Sequence, residues 1–366
     1  TRARTKLIRE IHGGRQPGIC TPPGSPCPTF PAGSDPRAFV SIGRTTYFTA
    51  NHPEYGLELW RTNGRRAGTR LVNDTHPGPE SGLAFAEGSL VEFDGGLYFA
   101  ADDGRHGYEL WRSDGTRAGT RMVRDLGPRW SVAWWTKPVV AGAYLYFVAR
   151  GKDAGLELWR TDGTRKRTQL VRDIWPGPKA STPEDLTAVA DELYFTAKDP
   201  DHGRELWRTD GTRKGTTLVS DLSPGRESSL LGDLVGSGDT LYVTAWSKVG
   251  ELDHARSLWR TTDTEQVVEP VSLGGDDSAT GVRRWSEFPT MASRGGRLYI
   301  TADDGVHGNE VWMIDSATGE SALIADIRPG PRGSRPEWLT LADSVLYLTA
   351  ADGEHGRQLW ALPLEA

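Results

Sequence analysis

Apolar and polar positions alternate in blocks along this chain, and the blocks recur. Runs such as Leu97 to Ala101 and Leu193 to Ala197 are apolar at successive positions. Strands of that kind have both faces buried, as expected of a layer stacked against two neighbours. A tight turn such as Asp94-Gly95-Gly96 precedes each run, and a shorter, moderately apolar run such as Leu186 to Ala190 precedes the turn. A polar loop follows, for example Asp102-Asp103-Gly104-Arg105-His106-Gly107, and then a third run that carries a Trp. An Asp162-Gly163-Thr164 type of hairpin leads to a fourth run, Leu170 to Ile174. Asp-Gly between apolar runs is a strong hairpin signal. Each unit therefore reads as four antiparallel strands.

The unit repeats. Trp60, Trp111, Trp159, Trp207, Trp259, Trp312 and Trp360 are 51, 48, 48, 52, 53 and 48 residues apart. A period of this size marks a propeller or a solenoid, and the pattern predicts an all-β, seven-bladed β-propeller with blades at about 37–75, 87–126, 137–174, 186–222, 231–273, 289–327 and 337–362. The third strand occurs seven times, but a fourth strand follows only six of them. The missing copy is expected at the other end, where Thr5-Lys6-Leu7-Ile8-Arg9-Glu10-Ile11 matches Thr69 to Thr75 in pattern. Residues 5–11 should then complete the last blade and close residues 1–366 into one domain. Closure would remove an exposed sheet edge, a template for aggregation.

The segment Glu109-Leu110-Trp111-Arg112-Ser113-Asp114-Gly115-Thr116 resembles the ELWxxDGT repeat family of bacterial secreted and surface proteins, and Trp159 to Thr164 and Trp207 to Thr212 carry the same motif. The resemblance covers nearly the whole chain. It lapses at Thr261-Thr262-Asp263-Thr264, which lacks the Gly, and at Met313 to Ser316. It implies a propeller-like repeat and no settled chemistry.

Composition narrows the choice of partner. The 366 residues include 14 Trp, 44 Gly and 23 Pro, and carry a formal charge of -6. Basic residues alternate with acids along the chain, so no basic stripe argues for nucleic acid. No apolar run of about 18 residues is present, which argues against membrane insertion. Cys20 and Cys27 lie close together in a Pro- and Gly-rich insert, 12–36, and read as a local disulfide. Such a bridge favours an oxidising, secreted, surface or periplasmic location, with a removed signal peptide and a monomeric state as the matching expectations.

Seven Trp residues fall outside the repeat: Trp130, Trp134, Trp135, Trp175, Trp246, Trp285 and Trp338. Propeller geometry sends all seven towards one face, where they either plug the channel mouth or offer stacking platforms to a sugar or another small, apolar ligand. Irregular segments collect on that face. Arg129 sits among Trp130, Trp134 and Trp135. Glu251 and His254 lie in a lengthened loop at 246–256, and Arg283, Arg284 and Glu287 in a connection at 274–288. Glu337 and the pair Glu184-Asp185 lie at connections near the channel mouth. The leading expectation is a carbohydrate-binding face. The alternative is a hydrolase, lyase or cyclase with one asymmetric site, in which His254, Glu251 and Glu287 would carry proton transfer. His106, His202, His307 and His355 recur before a Gly in equivalent loops. Imidazoles around one axis could hold a divalent metal in or near the channel, although the repeated His-Gly-x-Glu pattern is also explained by side chains that bond the loop backbone. No cofactor is firmly implied.

Overall fold

The computed structural model describes residues 6–13, 15–17, 29–31, 33–84, 90–127, 131–133, 135–249, 253–261, 268–271 and 291–364. Two compact units divide the chain, Thr1–Ala180 and Ser181–Ala366. Each is a succession of antiparallel sheets whose strands follow one another in sequence order.

The first unit holds three four-stranded sheets. Their strands are Arg37–Ile42, Thr45–His52, Gly56–Thr62 and Arg70–Leu71; then Val91–Phe93, Gly96–Asp102, Tyr108–Ser113 and Arg121–Arg124; then Val139–Ala141, Tyr144–Arg150, Leu156–Thr161 and Gln169–Leu170. The second unit holds four sheets. Three are four-stranded: Glu184–Val189, Glu192–Asp199, Gly203–Thr209 and Thr217–Ser220; Leu230–Ser237, Thr240–Val249, Asp253–Thr261 and Val268–Pro270; Ala292–Arg294, Arg297–Asp303, Asn309–Asp315 and Ser321–Ala325. The last has three strands, Glu337–Ala342, Val345–Ala351 and Arg357–Pro363. A small two-stranded ladder, Arg15–Pro17 with Thr29–Pro31, closes the insert near the N-terminus. Cys20 and Cys27 lie outside the described residues.

Alternation along the second strand sets the packing. Tyr47 points towards the following sheet and joins Leu59 and Val72 in a core with Leu97, Phe99, Ala101 and Trp111. Tyr98, Leu110 and Val123 repeat this against Leu145, Phe147, Ala149 and Trp159, and Tyr242 and Leu258 against Leu298, Ile300, Ala302 and Trp312. The repeat Trp is thus an inter-sheet residue. Burying about 200 Å² of it contributes about 5 kcal/mol at about 25 cal/mol/Å², before side-chain entropy.

Each residue of the Asp-Gly-Thr hairpin has a physical task. Asp162 accepts hydrogen bonds from the Thr164 amide and hydroxyl at 3.0 and 2.7 Å. Thr161 and Thr168 pair their hydroxyls across the hairpin at 2.7 Å. Gly163 has φ +86, and a Cβ there would stand 2.2 Å from the Tyr98 Oη of the preceding sheet. Arg112 donates to the Gly163 carbonyl (3.4 Å), as Arg61 donates to that of Gly115 (2.8 Å). The motif therefore docks the second and third hairpins of the first unit onto the sheet before each.

The motif Glu is buried as well. Glu58, Glu109, Glu157, Glu205 and Glu310 are 0% exposed. Each accepts a backbone amide from the connection beyond its own sheet, such as His76 to Glu58 at 3.1 Å and Ser334 to Glu310 at 2.7 Å. Buried loop amides need such acceptors.

Residues 6–10 form no ladder strand among the described residues. Their contacts nevertheless copy those of a fourth strand. Arg9 donates to the Thr69 carbonyl at 2.5 Å, as Arg124, in the fourth strand of the second sheet, donates to Thr168 of the third at 2.5 Å. Ile11 packs on Phe48, Ala50 and Trp60. Leu126, two residues beyond Arg124, shares a core with the equivalent Phe147, Ala149 and Trp159. At the other end of the chain, Leu359 of the three-stranded sheet is 73% exposed, whereas its equivalent Leu206 is 0% exposed.

Candidate functional site

Three of the four first strands of the second unit carry a bulge, as does Arg37–Ile42 in the first unit, where Ala38 is left-handed at φ 52. Between Glu184 and Thr187 the register to the second strand slips by one residue, and it slips again between Leu231 and Leu234 and between Glu337 and Thr340. In the first and last of these the inserted residue adopts a left-handed backbone, Asp185 at φ 55 and Trp338 at φ 59. That conformation costs a residue with a Cβ about 1–2 kcal/mol, and Gly would adopt it freely. Such strain gathers where a side chain must be aimed.

Both bulges are held in the same way. Thr187 donates to the Asp185 carbonyl at 3.0 Å, and Thr340 to the Trp338 carbonyl at 3.1 Å. Arg204 reaches under the first bulge to the Thr182 carbonyl at 2.9 Å and the Thr182 hydroxyl at 2.7 Å, and meets Glu184 at 3.3 Å. Arg357 does the same under the last, bonding the Arg335 carbonyl at 2.9 Å and pairing with Glu337 at 3.2 Å. One clamp therefore presents a carboxylate in one sheet and an indole in another.

These side chains line one cavity of about 440 Å³, with Leu186, Thr187, Asp233, Leu234, Met291 and Thr340. All four sheets of the unit contribute, through their first strands or the residue just before one. The strands run close together: Ser293 donates to the Gly236 carbonyl at 2.5 Å. Asp233 supplies a second carboxylate, and the lining holds no Lys or Arg. Burial pushes the Asp185 carboxyl above its ordinary range. The hydroxyl of Thr196, 3.1 Å from its Oδ2, opposes this, while the negative charges of Glu184 and Asp233 add to it. Trp338 is 73% exposed, so its ring faces solvent at this site.

The other expected residues fall elsewhere. Glu337 is the clamp partner of Arg357. Trp175 carries the Lys179 ammonium 5.3 Å over its ring, and Trp135 is exposed. The lengthened loop expected at 246–256 is instead a lengthened hairpin, with Trp246 paired to Arg256 and His254 to Lys248 in one ladder. The extra residues gain backbone hydrogen bonds by extending both strands, which a loop would have left to solvent. Trp130, Trp134, Trp285, Arg129, Arg283, Arg284, Glu251 and Glu287 lie outside the described residues.

The recurrent histidines close loops. In His106, His202, His307 and His355, Nδ1 lies 2.8, 2.9, 2.7 and 2.7 Å from a carboxylate oxygen three residues back, on Asp103, Asp199, Asp304 and Asp352. The same carboxylates accept the His amides. These hydrogen bonds raise the pKa of His106, His202 and His307. Among the described residues no group of three His, Cys, Asp or Glu comes together to hold a metal ion. Nδ1 of each imidazole is thus bonded within its own loop.

The sequence flagged Trp338 and the pair Glu184-Asp185 but passed over Asp233, Thr187, Thr340 and Met291. The one available signal was Asp233 within the otherwise apolar Leu230-Leu231-Gly232-Asp233-Leu234-Val235.

Among the described residues, no helix is long and apolar enough to cross a membrane. No family model matches the chain, and no curated protein matches it. Among solved structures, the chain is similar to a puromycin hydrolase, with 15% identity and a TM-score of 0.45 over 90% of this chain and 52% of that one. It is similar to a puromycin-hydrolyzing peptidase of Mycobacterium tuberculosis, with 12% identity and a TM-score of 0.46 over 90% and 53%. It is also similar to the β-propeller domain of the Trilobed protease from Pyrococcus furiosus, with 12% identity and a TM-score of 0.42 over 91% and 95%. The chain thus spans about half the length of the two hydrolases.

Proposed function

We propose that this chain is a closed seven-bladed β-propeller of the ELWxxDGT repeat type that binds a carbohydrate in the cavity of its inner strands. Closure is supported by the first unit. Arg9 and Ile11 stand to the first sheet as Arg124 and Leu126 stand to the third. Residues 5–11 would then supply the fourth strand that the last sheet lacks and shield Leu359.

The binding reading rests on one observation. Two similarly clamped, left-handed bulges place Asp185 and Trp338 in the lining of the same cavity of about 440 Å³, a volume suited to a small ligand. An indole face with carboxylate and hydroxyl acceptors beside it suits a sugar ring, whose C–H face stacks while its hydroxyls donate. A secreted, monomeric protein accords with this reading and with the spacing of Cys20 and Cys27.

The alternative is an enzyme at the same site. It is favoured by the presence of Asp185 and Asp233 in one cavity, with burial pushing the Asp185 carboxyl above its ordinary range, since a pair of carboxyls can divide acid and base roles. One experiment tests both readings. Cello-, xylo- and mannohexaose are titrated into the full chain while tryptophan fluorescence and reducing ends are measured. A fluorescence change that Trp338→Ala abolishes, and that Asp185→Asn weakens at least tenfold, supports binding. Reducing ends that appear with the full chain and vanish in Asp185→Asn support the enzyme. No response from these sugars or from a glycan array overturns both.

A further inference from the structure

The Asp-Gly-Thr hairpins gather charge that the sequence disperses. In the first unit, the hairpins at 63–68, 114–119 and 162–167 carry Arg65, Arg66, Arg117, Arg165, Lys166 and Arg167, all exposed. The Arg61 to Gly115 and Arg112 to Gly163 hydrogen bonds tie successive hairpins side by side. The six cations therefore form one row. Only two acids share it. Asp114 and Asp162 each turn Oδ1 inward to the amide of their own hairpin Thr, and the first hairpin has the neutral Asn63 in that place. Among the described residues, only Arg167 of the six has an acidic partner, Asp162 at 3.5 Å. The whole chain is net -6, so this row stands against an acidic remainder.

A cavity of about 460 Å³ opens between the first sheet's outer strand and the second hairpin. Arg70 and Arg117 line it, with Tyr55, Asn73, Asp74 and Thr116. Two guanidinium groups in one recess suit a carboxylate or phosphate better than free Lys would, because their forked donors match its oxygens.

We infer that this row is a docking surface for a single-chain acidic polysaccharide, a polyuronate in chemical class, with one anionic group seated at Arg70 and Arg117. The charge distribution favours a thin strand over a broad anionic surface. One strand can follow such a row of adjacent hairpins. The hairpins carry no aromatic or large apolar side chain, so they offer neither the wedge that anchors a protein in a bilayer nor the stacking platforms that hold single-stranded nucleic acid.

The test uses the full chain and polygalacturonate, titrated by calorimetry from 20 to 200 mM NaCl. Binding should weaken steeply with salt, because each contact releases counterions. The exposed triple variant Arg66→Gln/Arg117→Gln/Arg165→Gln should bind at least tenfold more weakly at 20 mM NaCl, with a shallower salt dependence and an unchanged melting curve. Arg70→Gln alone should weaken binding several-fold. An absent signal with polygalacturonate, or equal binding by the triple variant, overturns the proposal. Tighter binding to vesicles containing phosphatidylserine, or to an oligo-dT strand, overturns the choice of partner.

Discussion

Replacing Glu58 by Gln should abolish the pH dependence of stability contributed by this side chain. Glu58 is fully buried, and burial pushes its carboxyl up to about 8 from the ordinary 4.5, against the hydrogen bonds of His76 and Thr75 that favour the charge. Its Oε2 has no hydrogen-bond partner among the described residues. The folded protein then holds a proton that the unfolded chain releases above 4.5. Where the native state binds more protons, stability falls as pH rises. The contribution is fully present below 4.5 and is lost progressively up to about pH 8. A tenfold difference in proton affinity between the folded and unfolded chain is worth about 1.4 kcal/mol, so the ceiling is about 5 kcal/mol. Glu58→Gln cannot ionise. It keeps an oxygen for the His76 amide but places an NH₂ where Oε2 lacks a partner, a pH-independent cost of about 1–2 kcal/mol. Urea unfolding at pH 5, 6, 7 and 8 should find the variant less stable at pH 5, equal near pH 6 and more stable at pH 8. Glu109, raised to about 7 for the same reason, titrates in both proteins and cancels in the difference. Parallel pH profiles for the two proteins would refute the reasoning.

Two further outcomes test the architecture. Gly163→Ala puts a Cβ at φ +86 against the Tyr98 hydroxyl, and should cost about 2–4 kcal/mol from backbone strain and overpacking; a urea midpoint within error of the parent would contradict the docking role of the hairpin. Arg9→Ala removes the bond to the Thr69 carbonyl and should cost about 1–2 kcal/mol. If residues 5–11 complete the last sheet, Arg9→Ala should also speed hydrogen exchange in the Leu359 strand, and unchanged exchange there would count against closure.

Local pattern carried the strands of this protein because a four-stranded antiparallel unit is written in nearest-neighbour terms. Apolar runs, the Asp-Gly turn and the period of the repeat Trp are all set within about 50 residues, and within each sheet a strand pairs with its neighbours in sequence. The buried Glu was half visible in the same way, since a repeated acid before an apolar pair suggests a backbone acceptor. The tertiary structure decided what lies between sheets. Glycine at position 163 is explained by a tyrosine 65 residues earlier. The carboxylate of Asp185, the ring of Trp338 and the carboxylate of Asp233 meet because first strands far apart in sequence line one cavity. Basic residues that alternate with acids along the chain become a row, because the hairpins stack while their aspartates turn inward. The histidines stay local: of the two readings their recurrence offered, a bond within the loop or a shared metal, the bond within the loop is visible, to an aspartate three residues back. A period in sequence fixes which residues are equivalent, but only the packing of one sheet on the next determines which of them meet.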